Sequence, residues 1–319
     1  LALALAPALA PMACDGASPD RVPNAPAAKE VTPKEVVAVT QSPPPARAPN
    51  NKIAPEPRAP ELDGDPPRGV LLGSLTWIEA EARLTPETVV VVPLGAAAKE
   101  HGPHLLLKND LLLAEYYTRR VLQAADVVIA PTLGYHYYPA FVEYPGSTTL
   151  REETARDVVV DICRSLARHG PRRFYVLNTG VSTVKPLQAA AALLAEDGIL
   201  LRFTDILKVA GPVEEALREQ EGGTHADEIE TSMMLYIAPE TVDMSKAVKD
   251  FAPKTKPGFS RAPDGPGHYS KTGIWGDPTL ATRAKGARVV EAMVAGMLAD
   301  IEALRVATPP AGARASASE

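Results

Sequence analysis

The stretch KEHGPHLLLKND, Lys99–Asp110, holds two of the chain's six histidines, three residues apart, with a glutamate before them and an aspartate after. Glu100, His101, His104 and Asp110 are all ligand types for a divalent ion of hard or borderline character. A hydrolytic centre needs imidazole and carboxylate to anchor an ion, and a carboxylate able to bridge where two ions are present. Asp110, at the start of the next helical pattern, is placed to bridge. For a single histidine the simpler reading is a polar cap on the turn at Gly102-Pro103. Two imidazoles and two acids clustered together favour the chemical one.

A second constellation is GGTHADEIETSMMLYIAPE. His225 opens a helical pattern after Gly222-Gly223, and Glu230 follows five residues on. Residues i and i+5 do not share a helix face. His225 and Glu230 converge only if His225 lies at or before the N-cap, which the Gly pair and Thr224 permit. Glu228 is the competing partner. The simpler alternative is a capped amphipathic helix with acids near its positive end. The aromatic loop YHYYPAFVEYPGSTTL offers His136 and Glu143 as candidate substrate contacts. The segment GHYSKTGIWGDPTLAT, with His268 and Trp275, has the length to cover a site. His169 reads as a helix-end cap.

These residues are carried by alternating elements. TVVVVPLG reads as a buried strand, NDLLLAEYYTRRVLQAA as a helix and DVVIAPTLGY as a strand. In REETARDVVVDICRSLARHGP, Ala155, Val158, Val159, Ile162 and Leu166 recur at helical spacing, and Gly170-Pro171 stops the helix. RRFYVLNTG, VKPLQAAAALLAEDG and ILLRFTDI continue as strand, helix and strand, and ARVVEAMVAGMLADIEAL closes the domain as a helix. Such alternation predicts an α/β fold with a mostly parallel sheet covered by helices on both faces. Ligands of such sheets bind beyond the carboxyl ends of the strands. KEHGPHLLLKND starts where a strand ends, on that rim. No Gly-rich dinucleotide or P-loop fingerprint is present.

Composition sets the outer bounds. The net charge is −6, Lys and Arg form no stripe and aromatics are sparse, which argues against a nucleic-acid surface. Residues 1–14, LALALAPALAPMAC, resemble a secretory h-region ending in a lipobox, with Cys14 as the lipidated residue. The expectation is an exported bacterial lipoprotein, periplasmic or membrane-anchored, that meets the membrane only through this anchor. Residues 15–68 are rich in Pro and Ala and read as an extended linker. The folded domain is expected over 69–307, with a disordered tail over 308–319. Cys163 reads as a buried small hydrophobe, and no disulfide is expected.

The motifs carry a family likeness. PLGAAAKEHGPHLLLKND resembles the creatininase-family signature in which Pro-Leu-Gly leads into Glu-x-His-Gly-Pro-His-Leu-Pro-Leu-x-x-Asp. EYPGSTTL is similar to that family's Phe-Pro-Gly-Thr-x-x-Leu. HADEIETSMML is similar to its His-Ala-x-x-x-Glu-Thr-Ser-x-x-Leu, and SKTGIWGDPTLAT to its Gly-x-x-Gly-Asp-Pro-x-x-Ala. The likeness runs in order over about residues 70 to 305.

The resemblance implies a three-layer α/β sandwich and a metal-dependent amidohydrolase of cyclic or small amides. It also implies a homo-oligomer, hexameric in many members. The implied cofactor is a divalent metal, Zn or Mn, with one or two ions left open. His101 and Asp110 match the family's metal-binding His and bridging Asp, and His225 and Glu230 its catalytic His and Glu. Two places depart. The family's metal-binding Glu position is Lys99 here, with Glu100 adjacent to take that role. The family's Asn-Gly-His-Gly-x-Asn loop is NTGVST, Asn178–Thr183, so its metal-binding His position is Gly180 and a further Glu position is Ser182. His104, His136 or His225 are left to complete a coordination shell. Two functions follow: a hydrolase, or a lipid-anchored binding protein that kept the pocket and lost the metal.

Overall fold

The computed structural model describes residues 57–60, 66–254 and 256–312. The expected leader at 1–14 lies outside the described residues, as do most of the linker read over 15–68 and residues 313–319 of the tail. Among the described residues, five strands form one sheet: β1 (Val70–Leu71), β2 (Val89–Leu94), β3 (Val128–Ile129), β4 (Arg173–Asn178) and β5 (Leu200–Phe203). Their order is β1-β3-β2-β4-β5 and every pairing is parallel. The helices are α1 (Trp77–Arg83), α2 (Asn109–Ala124), α3 (Glu152–Ala167), α4 (Val184–Glu196), α5 (Ile206–Val209), α6 (Gly211–Leu217), α7 (Glu228–Ile237) and α8 (Arg283–Arg305). A short parallel pair, β6 (Phe259–Ser260) and β7 (His268–Tyr269), stands apart from the main sheet.

The apolar run of β2 is buried along its whole length, as a parallel strand covered on both faces must be. The two-residue pleat sorts its valines. Val89 and Val91 pack with α2, α7 and α8, and Val90 and Val92 pack with α3 and α4. Strand β4 does the same with Tyr175 and Leu177 on the first side and Phe174 and Val176 on the second. Helix, sheet and helix make the three-layer sandwich that the alternation implies. Cys163 is buried in the second layer, without a disulfide.

The order in which strands are added reverses between β2 and β4. Chain leaving β2 passes through α2 to β3 on one side, and chain leaving β4 passes through α4 to β5 on the other. Adjacent strands whose connections part in this way open a crevice at their carboxyl ends. The loops that follow, 95–108 and 179–183, therefore flank one crevice.

Two expected strands are shorter in the structure. DVVIAPTLGY pairs as a strand only at Val128–Ile129, because Pro131 has no N–H to give the ladder. It then runs on to a single bridge between Leu133 and Leu94. ILLRFTDI pairs only over Leu200–Phe203. Helix α7 starts at Glu228 rather than at His225. The Asp227 carboxylate caps it, accepting from the N–H groups of Ile229 at 3.0 Å and Glu230 at 2.9 Å.

Candidate active site

Strand β2 delivers the chain into a buried turn, and α2 returns it. Asp110, in the first turn of α2, and His101 are both 1% exposed. The His101 Nδ1 lies 2.8 Å from the Lys99 carbonyl. A carbonyl only accepts, so Nδ1 carries the proton. The Nε2 then points at two carboxylate oxygens, Asp110 Oδ1 at 2.8 Å and Glu230 Oε1 at 3.4 Å. A nitrogen lone pair facing two anions calls for a cation between them, either a proton or a metal ion. Burial opposes charge on this imidazole, but Asp110 and Glu230 outweigh it and raise its pKa to about 9.

The ligand atoms of His101, Asp110 and Glu230 all lie within 4.8 Å of one another. One imidazole and two carboxylates are a donor set that suits Zn or Mn. Glu230 reaches this group because α7 starts late. Its Oε1 also accepts from Asn109 Nδ2 at 3.0 Å and its Oε2 from the Ala226 N–H at 2.7 Å. Glu230 is held well below the usual carboxylate range. Burial works against that, and the neighbouring His101 carries it.

Glu100 is not in this group. Its carboxylate turns towards His225, with Oε2 3.0 Å from Nε2, and Oε1 accepts from the Gly102 N–H. The Glu100 N–H is fixed on Ser147 Oγ at 2.9 Å. His225 sits two residues before the α7 cap and is 6% exposed. Its ring lies against Phe141, with centroids 4.2 Å apart, and 5.2 Å from the His101 ring. Its backbone pairs with Trp275 through N–H···O bonds of 3.3 and 2.9 Å. Gly223, at φ +105°, lets that pairing form: a Cβ there would lie 2.0 Å from the Trp275 carbonyl oxygen. With Nε2–H given to Glu100, Nδ1 remains as a proton acceptor, 3.9 Å from Glu230 Oε2.

The place of Lys99 is the largest departure from an all-acid centre. Its Nζ lies 2.7 Å from Asp110 Oδ2, with the side chain 8% exposed. Burial alone would lower its pKa, but Asp110, Glu230 and Glu100 together raise it. Nothing in the residue's type alone predicted so close a contact with Asp110.

The remaining candidates fall in several places. His104 is buried on α7, with Nε2 2.8 Å from Thr231 Oγ1, and burial lowers its pKa to about 4. His136 is fully buried and is likewise lowered to about 4 by burial. Neither joins the three-residue group. Glu143 accepts from Ser260 Oγ at 2.8 Å and the Arg261 N–H at 2.9 Å, tying the aromatic loop to β6. Asn178 clamps its own loop, accepting from Thr183 Oγ1 at 2.6 Å and donating to the Gly180 carbonyl at 2.7 Å. His268 packs edge-on to Trp275 and Phe259.

Trp275 lines a cavity of about 290 Å³ together with Lys99, Phe141, Thr179, Gly180, Ser182, His225 and Glu230. The cavity opens in the β2/β4 crevice. Its outer wall includes Ile206, Glu214, Arg218 and Lys254, whose Nζ lies 4.1 and 4.4 Å from the Phe259 and Trp275 ring centres. Asn109, Phe141, Glu214 and Gly273 are the neighbours that sequence reading missed. Only Asn109 left a signal, as the residue beside Asp110 on the first turn of a helix.

Comparison with known proteins bears on this arrangement. The family model described as "Creatininase: Creatinine amidohydrolase" matches residues 73–301. The creatinine amidohydrolase of Pseudomonas putida is 30% identical over 262 residues, 76% of this chain and 99% of that protein. The mycofactocin precursor peptide peptidase of Mycolicibacterium smegmatis is 29% identical over 221 residues, 65% of this chain and 82% of that protein. A crystal structure of creatininase superposes with a TM-score of 0.64 at 28% identity, covering 75% of this chain and 99% of that one. Other solved creatininases include one described as Mn and a mutant described as the Zn-Zn type, each with a TM-score of 0.62.

Proposed function

The chain belongs to the creatininase family, and from that premise we propose that it is a metal-dependent hydrolase of a cyclic or small amide C–N bond. The observation that carries this reading is the convergence of His101, Asp110 and Glu230 beside the His225–Glu100 pair, with Glu230 and His225 reaching the cavity wall. His101, Asp110 and Glu230 would hold a divalent ion, which when bound would supply Lewis-acid activation of water and of the amide carbonyl. His101 is oriented for this by the Lys99 carbonyl, and Glu230 by Asn109 and the Ala226 N–H. His225, its tautomer fixed by Glu100, takes the proton from water at Nδ1 and returns it to the leaving nitrogen. Phe141 and Trp275 exclude bulk water from that transfer.

The substrate reading follows from the wall. The cavity suits a compact amide, and Lys254 over two aromatic faces suits one that carries a negative group. The altered NTGVST loop argues that creatinine itself is turned over weakly. The test is a panel of lactams, small amides and short peptides, with and without a carboxylate, offered to protein loaded with Zn or Mn. Metal-dependent turnover of one member, faster than of creatinine, is the expected result. Brisk creatinine hydrolysis would sink the reading of the loop.

Lys99 against Asp110, and Gly180 in place of a ligand, support a second reading: a lipid-anchored binding protein with a degenerate pocket. Ligand binding by a metal-free wild type, with no turnover across the panel, would favour it. We also propose export and lipidation at Cys14, supported by the apolar run that ends there and the Pro/Ala-rich stretch after it. One acyl chain gives marginal membrane affinity, so more than one is required. Cells carrying Cys14→Ala should release the protein from the membrane fraction, and a wild type already soluble in the cytoplasm would exclude it. A homo-oligomer is proposed on the same family ground. Trp77 and Ile78, 75% and 61% exposed on α1, give it an apolar surface to cover, and light scattering of the purified protein measures it.

A further inference from the structure

We propose that the Lys99 ammonium is a built-in cation of this centre, holding the outer oxygen of Asp110 and limiting the chain to one divalent ion. The inference rests on the reading that His101, Asp110 and Glu230 hold that ion. The Asp110 carboxylate is divided: Oδ1 lies 2.8 Å from His101 Nε2, and Oδ2 lies 2.7 Å from Lys99 Nζ. A carboxylate bridges two ions by giving one oxygen to each. Here the second oxygen already meets a positive charge.

That charge is well held. Lys99 is 7% exposed, and its Nζ stands 5.1 Å from the Phe141 ring centre and 5.7 Å from that of Tyr138. Aromatic faces favour a cation at such distances. The long side chain therefore has an ion partner and two rings to fix it.

The contacts agree. Glu100, Asp110 and Glu230 meet Lys99, His101 and His225 in one contacting set. A second divalent ion on Asp110 would have to share its carboxylate with the Lys99 ammonium, and like charges that close repel. Across the cavity, the loop Thr179–Ser182 brings neither imidazole nor carboxylate. The Ser182 hydroxyl donates to the Tyr137 carbonyl at 2.8 Å, and Asn178 is spent on its own loop and on the Thr204 carbonyl, to which it donates at 3.1 Å.

The experiment counts ions and reads their coupling. Wild-type protein saturated with Mn and dialysed should hold one ion per chain by mass spectrometry of the metal. Its electron paramagnetic resonance spectrum should be that of isolated Mn(II). Lys99→Arg should keep that count. Lys99→Met removes the charge at similar length, and should tighten the single ion by roughly tenfold or more in competition with a chromophoric chelator, because a nearby repulsion is gone. The double variant Lys99→Glu, Gly180→His should take up a second ion and give an exchange-coupled spectrum. Circular dichroism checks that each variant folds, and Lys99→Met decides the matter if the double variant does not.

Two ions in the wild type would overturn the limiting role of Lys99 and leave the metal reading standing. Weaker binding in Lys99→Met would show that the lysine only props Asp110, and overturns the proposal. No ion in the wild type under any loading would overturn it together with the metal reading beneath it.

Discussion

His225 Nε2 and Glu100 Oε2 lie 3.0 Å apart, although 125 residues separate them in the chain. The contact turns the Glu100 carboxylate towards a histidine and away from the group of His101, Asp110 and Glu230. A pair of this kind acts on protons rather than on the ion. His225→Ala should therefore keep the metal and lower kcat by roughly 10²–10⁴-fold. Glu100→Gln should lower it less, because an amide still accepts from Nε2–H. Metal content and turnover measured on the same preparation check this. Loss of metal in Glu100→Gln would return Glu100 to the ligand shell.

The three-residue group makes the opposite demand. His101→Ala should abolish tight metal binding, and Asp110→Asn and Glu230→Gln should each weaken it. Asn109→Ala, which removes the donor to Glu230 Oε1, should cost roughly 10–100-fold in affinity, as loss of an outer partner of a ligand does. Equilibrium dialysis with Zn and Mn gives the constants. If Glu230→Gln held its ion at full affinity and lost only turnover, Glu230 would be a proton-transfer group and not a ligand.

Glu214 carries a pH dependence of stability. Burial, reinforced by Asp227, lifts its pKa from 4.5 to about 7 against the opposing charge of Arg218. A folded-state pKa above the unfolded one stabilises the fold fully below pH 4.5. That contribution is lost as the pH rises through about 7, since the folded protein must then bury a carboxylate. Its size is at most on the order of 3 kcal/mol. Glu214→Gln should flatten this part of the profile, making the variant more stable than wild type at pH 8 and no better at pH 4. Urea unfolding at the two pH values measures it, and parallel profiles would rule it out.

How much of this was written locally decides what the sequence shows. Strand β2 is an unbroken apolar run, and α2 and α3 keep helical periodicity, so all three are legible. His101 and Asp110 are legible as neighbours because a strand end and the first turn of the next helix carry them. Glu230 was ambiguous. At i+5 it shares no helix face with His225, and only the Asp227 cap, which starts α7 three residues late, brings both to one place. The Glu100–His225 and Lys99–Asp110 contacts depend on packing between distant loops, and no spacing rule encodes them. Helices α5 and α6 are short, with four and seven residues, and too brief to show a period. Strand β3 is shorter than its apolar run suggests, because the run continues past Pro131, which has no N–H to give the ladder.

Gly273 tests whether that loop packing sets the chemistry. It lies at φ +84°, a region that disfavours a side chain, and a Cβ there would stand 2.0 Å from Glu100 Oε1. The glycine is thus the surface against which the Glu100 carboxylate lies while it faces His225. Gly273→Ala has to move the loop or displace the carboxylate. Backbone strain at such a position costs on the order of 1–3 kcal/mol. The variant should melt earlier, keep its metal because His101, Asp110 and Glu230 are untouched, and lose turnover in proportion to the displacement of Glu100. Gly273→Ala combined with Glu100→Gln should then lose little more turnover than either alone, since both act through the same contact. Fully additive losses would show that the glycine acts on something other than the His225–Glu100 pair.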